Sequence, residues 1–413
     1  MTGTEAANRI ARELCYRAIH DPQGYVEWLG PTLGEDGESF SYGPVGLSLY
    51  SGSIGVALLL HRLCDISEAP AEANSVRTAL LRPLHELVAQ PSAENRTRWW
   101  RDQSIGLSGC GGILLALEQL EEKSILDVMV SAFPSRFIEI DFQRDLLGGS
   151  AGLIGPLLRI GSDVALDHAI AAGEHLLRHQ TKDGGWPSEG ESRYCLGFAH
   201  GTAGFAAALA ALYHVTGHAR FRAGAAAAVA LERAQFCDEV GNWPTHAGHS
   251  PDGQPTHFLE HWCNGAPGIA LGRACLWETE LWDDICAREI EIAVRKLISA
   301  ETRNRDHLCC GNLGLMSVLR ILSSGPWPLD EGLRTLAREK IRDQKSRAVL
   351  RCNDKEVKLR SAGTRGQALS IPGYFNGLSG MGLSLMDGGL GAKTTAILLS
   401  GGLLGRKALL KMV

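Results

Sequence analysis

The chain has 413 residues, 45% hydrophobic and 21% charged, with a formal net charge of −5, which is ample material for a large core and leaves no basic tract for nucleic acid. Met1 to Arg12 lack the apolar core of a secretory signal, and no run reaches the ~18 apolar residues of a membrane span, so a cytoplasmic protein is expected.

In chain order, one short element returns seven times: Ser51-Gly52-Ser53-Ile54-Gly55, Gly109-Cys110-Gly111-Gly112, Gly149-Ser150-Ala151-Gly152, Gly201-Thr202-Ala203-Gly204, Gly265-Ala266-Pro267-Gly268, Gly311-Asn312-Leu313-Gly314 and Gly377-Leu378-Ser379-Gly380. Successive copies start 40 to 66 residues apart, the span of helical hairpins with variable loops. With 49 glycines in the chain a bare Gly-x-x-G says little. The apolar runs that follow, such as Val56 to Leu60, Ile113 to Leu117, Phe205 to Leu209 and Leu315 to Leu319, say more: they predict buried helices starting at Gly-rich turns. Between the turns lie amphipathic patterns, among them Asp167 to His179, His218 to Gln235 and Trp282 to Ile298, with apolar residues at spacings of three and four.

These readings predict one all-α domain over residues 1–413, an α/α toroid of seven inner and seven outer helices, with every turn gathered at one end. Asp183 to Ser192 and Gly241 to Pro255 read as irregular loops, and the long insertions before the fifth and seventh turns as a rim over the shared cavity. For the Gly-rich tail, Met386 to Val413, a divergent final helix is expected.

Eleven cysteines, an odd number on a long chain without a signal, suit free thiols and a metal site better than a disulfide framework. Cys263 and the pair Cys309-Cys310 each stand just before a Gly turn. Three converging thiolates would hold one zinc ion and leave its fourth position open. Cys15, Cys64, Cys110, Cys195, Cys237, Cys275, Cys286 and Cys352 are read as structural, since cysteine is among the most buried residue types. His200 immediately precedes the fourth turn and so faces the same cavity. His246, His249, His257 and His261 crowd the approach to Cys263 without an assigned role, and Trp186, Trp243 and Trp262 either line the cavity or pack loops.

Gly197-Phe198-Ala199-His200-Gly201, Trp262-Cys263-Asn264-Gly265-Ala266-Pro267-Gly268 and Leu308-Cys309-Cys310-Gly311-Asn312-Leu313-Gly314 resemble the lanthionine synthetase C-like (LanC) family, from about Leu49 to Gly382. The resemblance implies an α/α toroid that uses zinc to add peptide cysteine thiols to dehydroalanine or dehydrobutyrine. The implied ligands are Cys263, Cys309 and Cys310. His200 would be the acid/base group, because addition of sulfur to the β-carbon leaves an enolate that needs a proton at the α-carbon. Asp145 matches the family's active-site Asp in Asp-Leu-x-x-Gly-x-Ala-Gly and would orient or charge His200.

The chain departs from the commonest family pattern at Cys310, where most members have His. That points to the Cys-Cys-Gly subgroup, found mostly as cyclase domains of class II lanthipeptide synthetases. Those carry a dehydratase domain ahead of the cyclase; 413 residues leave no room for one, so a separate or formerly fused dehydratase is expected as partner to a dehydrated precursor peptide. The family's Arg four residues before the first Cys ligand is Leu259 here. Two other roles are compatible with the residues, a zinc-binding peptide scaffold that does not cyclise and an enzyme that adds glutathione. A glycosidase would need two facing carboxylates, and Asp145 has no obvious partner for that.

Overall fold

The computed structural model describes residues 1–413 apart from 34–39, 91, 102, 188–192, 249–255, 353–355, 362–370 and 412–413. His249 and the ends of the two expected irregular loops therefore lie outside the described residues. A single helix, α1 (Gly3–Tyr16), precedes the first Gly turn, which starts α2 (Ile54–Asp65); α3 (Ala73–Ala89) and a short α4 (Ala93–Arg101) follow. The second turn starts α5 (Cys110–Gln119), followed by α6 (Lys123–Ser131) and the single turn α7 (Arg136–Glu139). The next four turns each start a hairpin: α8 (Ala151–Ile160) with α9 (Asp163–His179), α10 (Thr202–Thr216) with α11 (Ala219–Arg233), α12 (Gly265–Cys275) with α13 (Asp284–Ser299), and α14 (Asn312–Ser324) with α15 (Glu331–Leu350). The seventh turn starts α16 (Leu378–Leu385), and the chain ends in α17 (Gly389–Leu399) and α18 (Arg406–Leu410).

The helices that follow the turns are buried nearly all round, as α10 and α14 show, which suits a ring enclosed on its outside. Their partners bury one stripe only; α13 buries Cys286, Glu289, Ile290, Ala293, Val294 and Leu297. The outer helices also carry side-chain caps, with Ser162, Asp283 and Asp330 accepting from Ala165, Cys286 and Leu333 amides. Neighbouring inner helices touch around the whole circle, and α16 packs against α2. The seventh outer helix is α1, which packs on α16 although it is at the other end of the chain.

The inner helices are capped differently. Most turns fold back so that amides of the first helical turn reach carbonyls about six residues upstream, as Gly111 to Ile105 (3.1 Å), Ala203 to Gly197 (3.1 Å), Leu313 to Asp306 (3.1 Å) and Leu378 to Ile371 (2.8 Å), whereas at the fifth Ala266 N donates to Asn242 Oδ1 (2.7 Å). This fold-back requires the last Gly of the element. A Cβ at Gly152 or Gly314 would overlap the carbonyl oxygen of Leu146 or Leu308.

The turns are also bonded to one another along the rim. Leu107 donates to Leu146 O (3.1 Å), Leu147 to Ala199 O (3.1 Å), Phe198 to Cys263 O (2.9 Å), Cys309 to Phe375 O (2.9 Å) and Phe375 to Tyr50 O (3.1 Å). Residues just ahead of the turns are thus held in two backbone-bonded runs, one joining the second to fifth turns and one joining the sixth, seventh and first.

The tail is helical, as expected, in α17 and the short α18. Instead of adding a helix to the ring, it enters the ring's interior. α17 touches α5, α14 and α16 from inside, and Arg62 of α2 donates to Thr394 Oγ1 (3.0 Å). At its upper end Trp262 Nε1 donates to Leu399 O (2.8 Å), and Leu107 and Leu146 lie against Gly401. Ser400-Gly401-Gly402 reverses the chain, with φ of 61° and 77° at the two glycines, a conformation that suits Gly. The chain then returns to the far end, where Lys407 N meets Glu278 Oε1 (2.7 Å).

Three small antiparallel pairs, unanticipated from the sequence, decorate the helices: β1 (Ile19–His20) with β2 (Val26–Glu27), β3 (Leu29–Leu33) with β4 (Phe40–Pro44), and β5 (Tyr194–Cys195) with β6 (His246–Ala247). No helix among the described residues is long and apolar enough to cross a membrane.

Candidate active site

The three expected thiols meet. Cys309 lies within electrostatic reach of both Cys263 and Cys310, so the two Gly turns bring their sulfurs to one region across 46 residues of sequence from Cys263 to Cys309. The neighbouring Cys309 thiol, followed by contacts from His261 and Asn264, holds the Cys263 thiol well below the usual range despite burial. Cys310 is lowered in the same way, by Cys309 first and His307 next, while Cys309 itself is pushed up by sharing its proton with two thiolates. All eleven cysteines are free, and Cys110, Cys275, Cys286 and Cys352 are buried.

His200 and Asp145 also meet, with His200 Nδ1 2.7 Å from Asp145 Oδ2. The second oxygen of Asp145 accepts from Gly148 N (2.6 Å), so the carboxylate both closes its own turn and fixes the imidazole. Engaging Nδ1 leaves Nε2 as the ring nitrogen available for chemistry. Burial disfavours the charged ring, but the Asp145 hydrogen bond and charge, with a further contribution from Cys263, outweigh it and raise the His200 pKa. The Phe198 and Ala199 amides both point to Cys263 O (2.9 and 3.3 Å), which holds the His200 loop against the first thiol loop. The His200 side chain is 50% exposed and that of Asp145 15%, so the imidazole is open to solvent while its partner is sheltered.

Several neighbours were not singled out by sequence. The Tyr50 phenol is stacked on Phe375, and burial, with the nearby Cys309 thiol next, pushes its pKa up. Its position just ahead of the first turn, equivalent to the thiols in theirs, was the available signal. Arg303 bridges the two thiol loops, donating to Cys310 O (3.0 Å) and Glu260 O (2.7 Å). Arg305 Nη1 lies 3.3 Å from Cys310 Sγ. Two guanidinium groups therefore reach the thiol loops from the sixth repeat, whereas Leu259, in the place of the family Arg, is 36% exposed and its carbonyl accepts from Asn242. His307 is buried with Nε2 3.7 Å from Cys310 Sγ. Trp186, Trp243 and Trp262 are all buried and pack: Trp186 stacks on Phe205, Trp243 Nε1 donates to Glu232 O (3.0 Å), and Trp262 rests on the tail.

Donor chemistry fits zinc: three neighbouring, partly buried thiols are the soft ligands that the ion favours. The arrangement is convergent without being a finished cage, since among the described residues no set of three or more His, Cys, Asp or Glu side chains stands ready to hold a metal ion.

The positions of these loops depend on a buried ionic cluster behind them. Arg273 of α12, fully buried, donates to Glu232 of α11 (2.7 Å) and Glu289 of α13 (2.8 Å), and Glu232 also accepts from Thr202 of α10 (2.5 Å). The hairpins carrying His200 and Cys263 are thereby locked together.

The sequence model of the family described as "Lanthionine synthetase C-like protein" matches residues 43–388. Among solved structures, nisin cyclase aligns with a TM-score of 0.64 at 17% identity, over 87% of this chain and 94% of its own; the likeness is one of fold. An unsaturated glucuronyl hydrolase from Streptococcus agalactiae aligns with a TM-score of 0.43 at 11% identity, over 67% of this chain and 78% of its own. No curated protein matches.

Proposed function

The chain belongs to the lanthionine synthetase C-like family, and from that premise we propose that it is a zinc-dependent cyclase of the Cys-Cys-Gly kind, joining cysteine thiols of a dehydrated precursor peptide to dehydroalanine or dehydrobutyrine to form lanthionine and methyllanthionine rings. The observation that carries the reading is the convergence of Cys263, Cys309 and Cys310 with the Asp145–His200 pair at one end of the toroid. A scaffold that only bound peptide would need neither a carboxylate-paired histidine nor three neighbouring thiols.

Cys263, Cys309 and Cys310 would hold the ion, which when bound supplies the substrate sulfur as a thiolate at neutral pH. The rest is done by the protein. Sulfur attacks the β-carbon, the double-bond pair moves toward the α-carbon and its carbonyl, and protonated His200 gives its Nε2 proton to the α-carbon. No group leaves, so the proton released by the substrate thiol balances the one delivered. Asp145 keeps His200 protonated to higher pH and holds Nε2 toward the cavity. The plugged interior confines the peptide to the rim, beneath which Trp262 is fully buried against Leu399. A dehydratase acting first, as a separate or formerly fused protein, would supply the substrate, and the cytoplasm is the compartment that suits the free thiols.

The test is elemental analysis of the purified protein beside Cys263→Ala, Cys309→Ala and Cys310→Ala, with a dehydrated peptide assayed by loss of alkylatable thiol. Equimolar zinc in the parent, weakened in each variant, together with thiol loss that needs His200, is the expected result. Zinc-free protein, or zinc retained unchanged in the Cys310 variant, would overturn the ligand set. Thiol loss only when glutathione is added, with an intermolecular adduct, would replace peptide cyclisation by glutathione addition.

A further inference from the structure

Three non-glycine residues among the described ones have positive φ: Ser67 (58°), Glu121 (62°) and Arg144 (60°). The first two lie just past the C-termini of α2 and α5, where a left-handed residue commonly closes a helix. Arg144 ends no helix. It is the middle of a three-residue turn in which Asp145 N bonds back to Gln143 O (2.7 Å), and with positive φ this is the rare, strained hand of the γ-turn. The residue that leaves the turn is Asp145, whose carboxylate holds His200 Nδ1.

A residue with a Cβ stays in such a conformation only where its surroundings over-determine it. Asp141 supplies that constraint. Its Oδ1 accepts from Gln143 N (3.1 Å), and its Oδ2 from Arg144 N (3.1 Å), Ser150 N (2.7 Å) and Ser150 Oγ (2.6 Å), so one carboxylate ties the turn to the start of α8. From behind, buried His175 of α9 donates Nε2 to Asp141 O (2.8 Å). The turn lies directly on Gly149, where a Cβ would overlap Arg144 N and Cα. The Arg144 guanidinium points elsewhere, to Pro187 O (3.2 Å).

We propose that Asp141 is a positioning residue of the site: it holds Arg144 in the left-handed turn, and that turn aims the Asp145 carboxylate at His200. Without Asp141, residue 144 relaxes to negative φ, a rotation of roughly 120° that carries the Asp145 carboxylate away from the imidazole. The consequence for catalysis rests on the reading of His200 as the acid/base group; the pairing itself does not.

The test is the tautomer of His200, read on the neutral ring of the full-length, isotope-labelled protein by long-range proton–nitrogen correlation and assigned with His200→Gln. A carboxylate only accepts, so in the parent the proton is expected on Nδ1. Asp141→Ala and the milder Asp141→Asn should lose the Nδ1–H form, with thiol-loss rates lowered about 10–10²-fold. Glycine removes the penalty on positive φ. Adding Arg144→Gly to either variant should therefore restore the Nδ1–H form, whereas adding Arg144→Ala, which loses the same guanidinium but keeps a Cβ, should not. Asp141→Asn keeps most of the volume, so misfolding confined to Asp141→Ala leaves the test in place. A parent without Nδ1–H, or Nδ1–H retained in Asp141→Asn, overturns the proposal. So does a loss that Arg144→Gly fails to restore, which would make Asp141 a cap of α8 and nothing more. The tautomer needs neither zinc nor peptide, so protein that shows this pattern without cyclising refutes the proposed function and supports the role of Asp141.

Discussion

Replacing Arg273 with Met would remove the cation from the buried cluster while keeping most of its volume. Glu289 would keep Arg233 at 3.4 Å, but fully buried Glu232 would retain only the Thr202 hydroxyl. Breaking a buried pair by removing one partner costs about 3–5 kcal/mol. At ~2.1 cal/mol/K of unfolding entropy per residue, a chain of this length would lose about 3–6 °C in Tm if it melts as one unit. The pH dependence follows from Glu232. Burial already raises its pKa with Arg273 present, and without Arg273 it rises further. A carboxyl whose folded pKa lies above its unfolded value binds its proton more tightly when folded, so its contribution to stability falls as pH rises between those two values. The deficit of Arg273→Met should therefore narrow toward acid pH and be largest near neutrality. Adding Glu232→Gln should recover most of it, because the orphaned charge is gone. Calorimetry across pH on the two single variants and the double variant gives the cycle. A loss below about 1 kcal/mol, or no recovery in the double variant, would refute the view that this cluster locks the hairpins bearing His200 and Cys263.

Three further outcomes are expected. Asp145→Asn should move the pH limit for protonated His200 to lower pH, since the carboxylate helps hold the His200 pKa up, and His200→Ala should slow cyclisation by about 10²–10⁴-fold; thiol-loss rates across pH read both. Gly314→Ala sets a Cβ against the Leu308 carbonyl, displacing the turn that carries Cys309 and Cys310, so zinc should be lost from protein whose circular dichroism stays helical. Leu398→Ala, inside the ring, should cost about 2–5 kcal/mol by denaturant melt, as for a core Leu rather than a frayed tail.

The Gly turns and inner helices were legible because the fold-back that caps most inner helices needs Gly against a carbonyl, as at Gly152 and Gly314, and the next residues must be apolar to face a closed interior. The positions of Cys263, His200 and the Cys309-Cys310 pair followed, since residues ahead of equivalent turns share one rim. The tail was not legible. Gly389–Leu399 starts at a Gly-x-x-G of its own, Gly388 to Gly391, with no long helical-repeat spacing from the seventh turn, and its contact with Trp262 spans 137 residues. The same distance effect hid α1 as the outer partner of α16 and Tyr50 as a neighbour of Cys309. The two-residue strands β1, β2, β5 and β6 are too short to show an alternating pattern.

Leu259 leaves the first thiol loop without the cation that the resemblance implied, yet Arg305 lies 3.3 Å from Cys310 Sγ, the position where Cys replaces the more common His. Exchanging a neutral imidazole for a thiolate adds one negative charge, and a guanidinium at that sulfur returns a positive one. The change at Cys310 and the nearby arginine thus compensate each other. Arg305 is exposed, so the pair is subject to solvent and salt, and its worth is modest. Arg305→Gln should weaken zinc binding by about 3–10-fold at low ionic strength, from the lost charge-assisted contact discounted for exposure, and the difference should close near ~1 M salt, where the screening length is about 3 Å. Chelator competition at low and high salt measures it. Equal affinities at low salt would show that Cys310 carries its added charge without help from Arg305, and an unchanged gap at high salt would show that Arg305 acts by packing the loop rather than by charge.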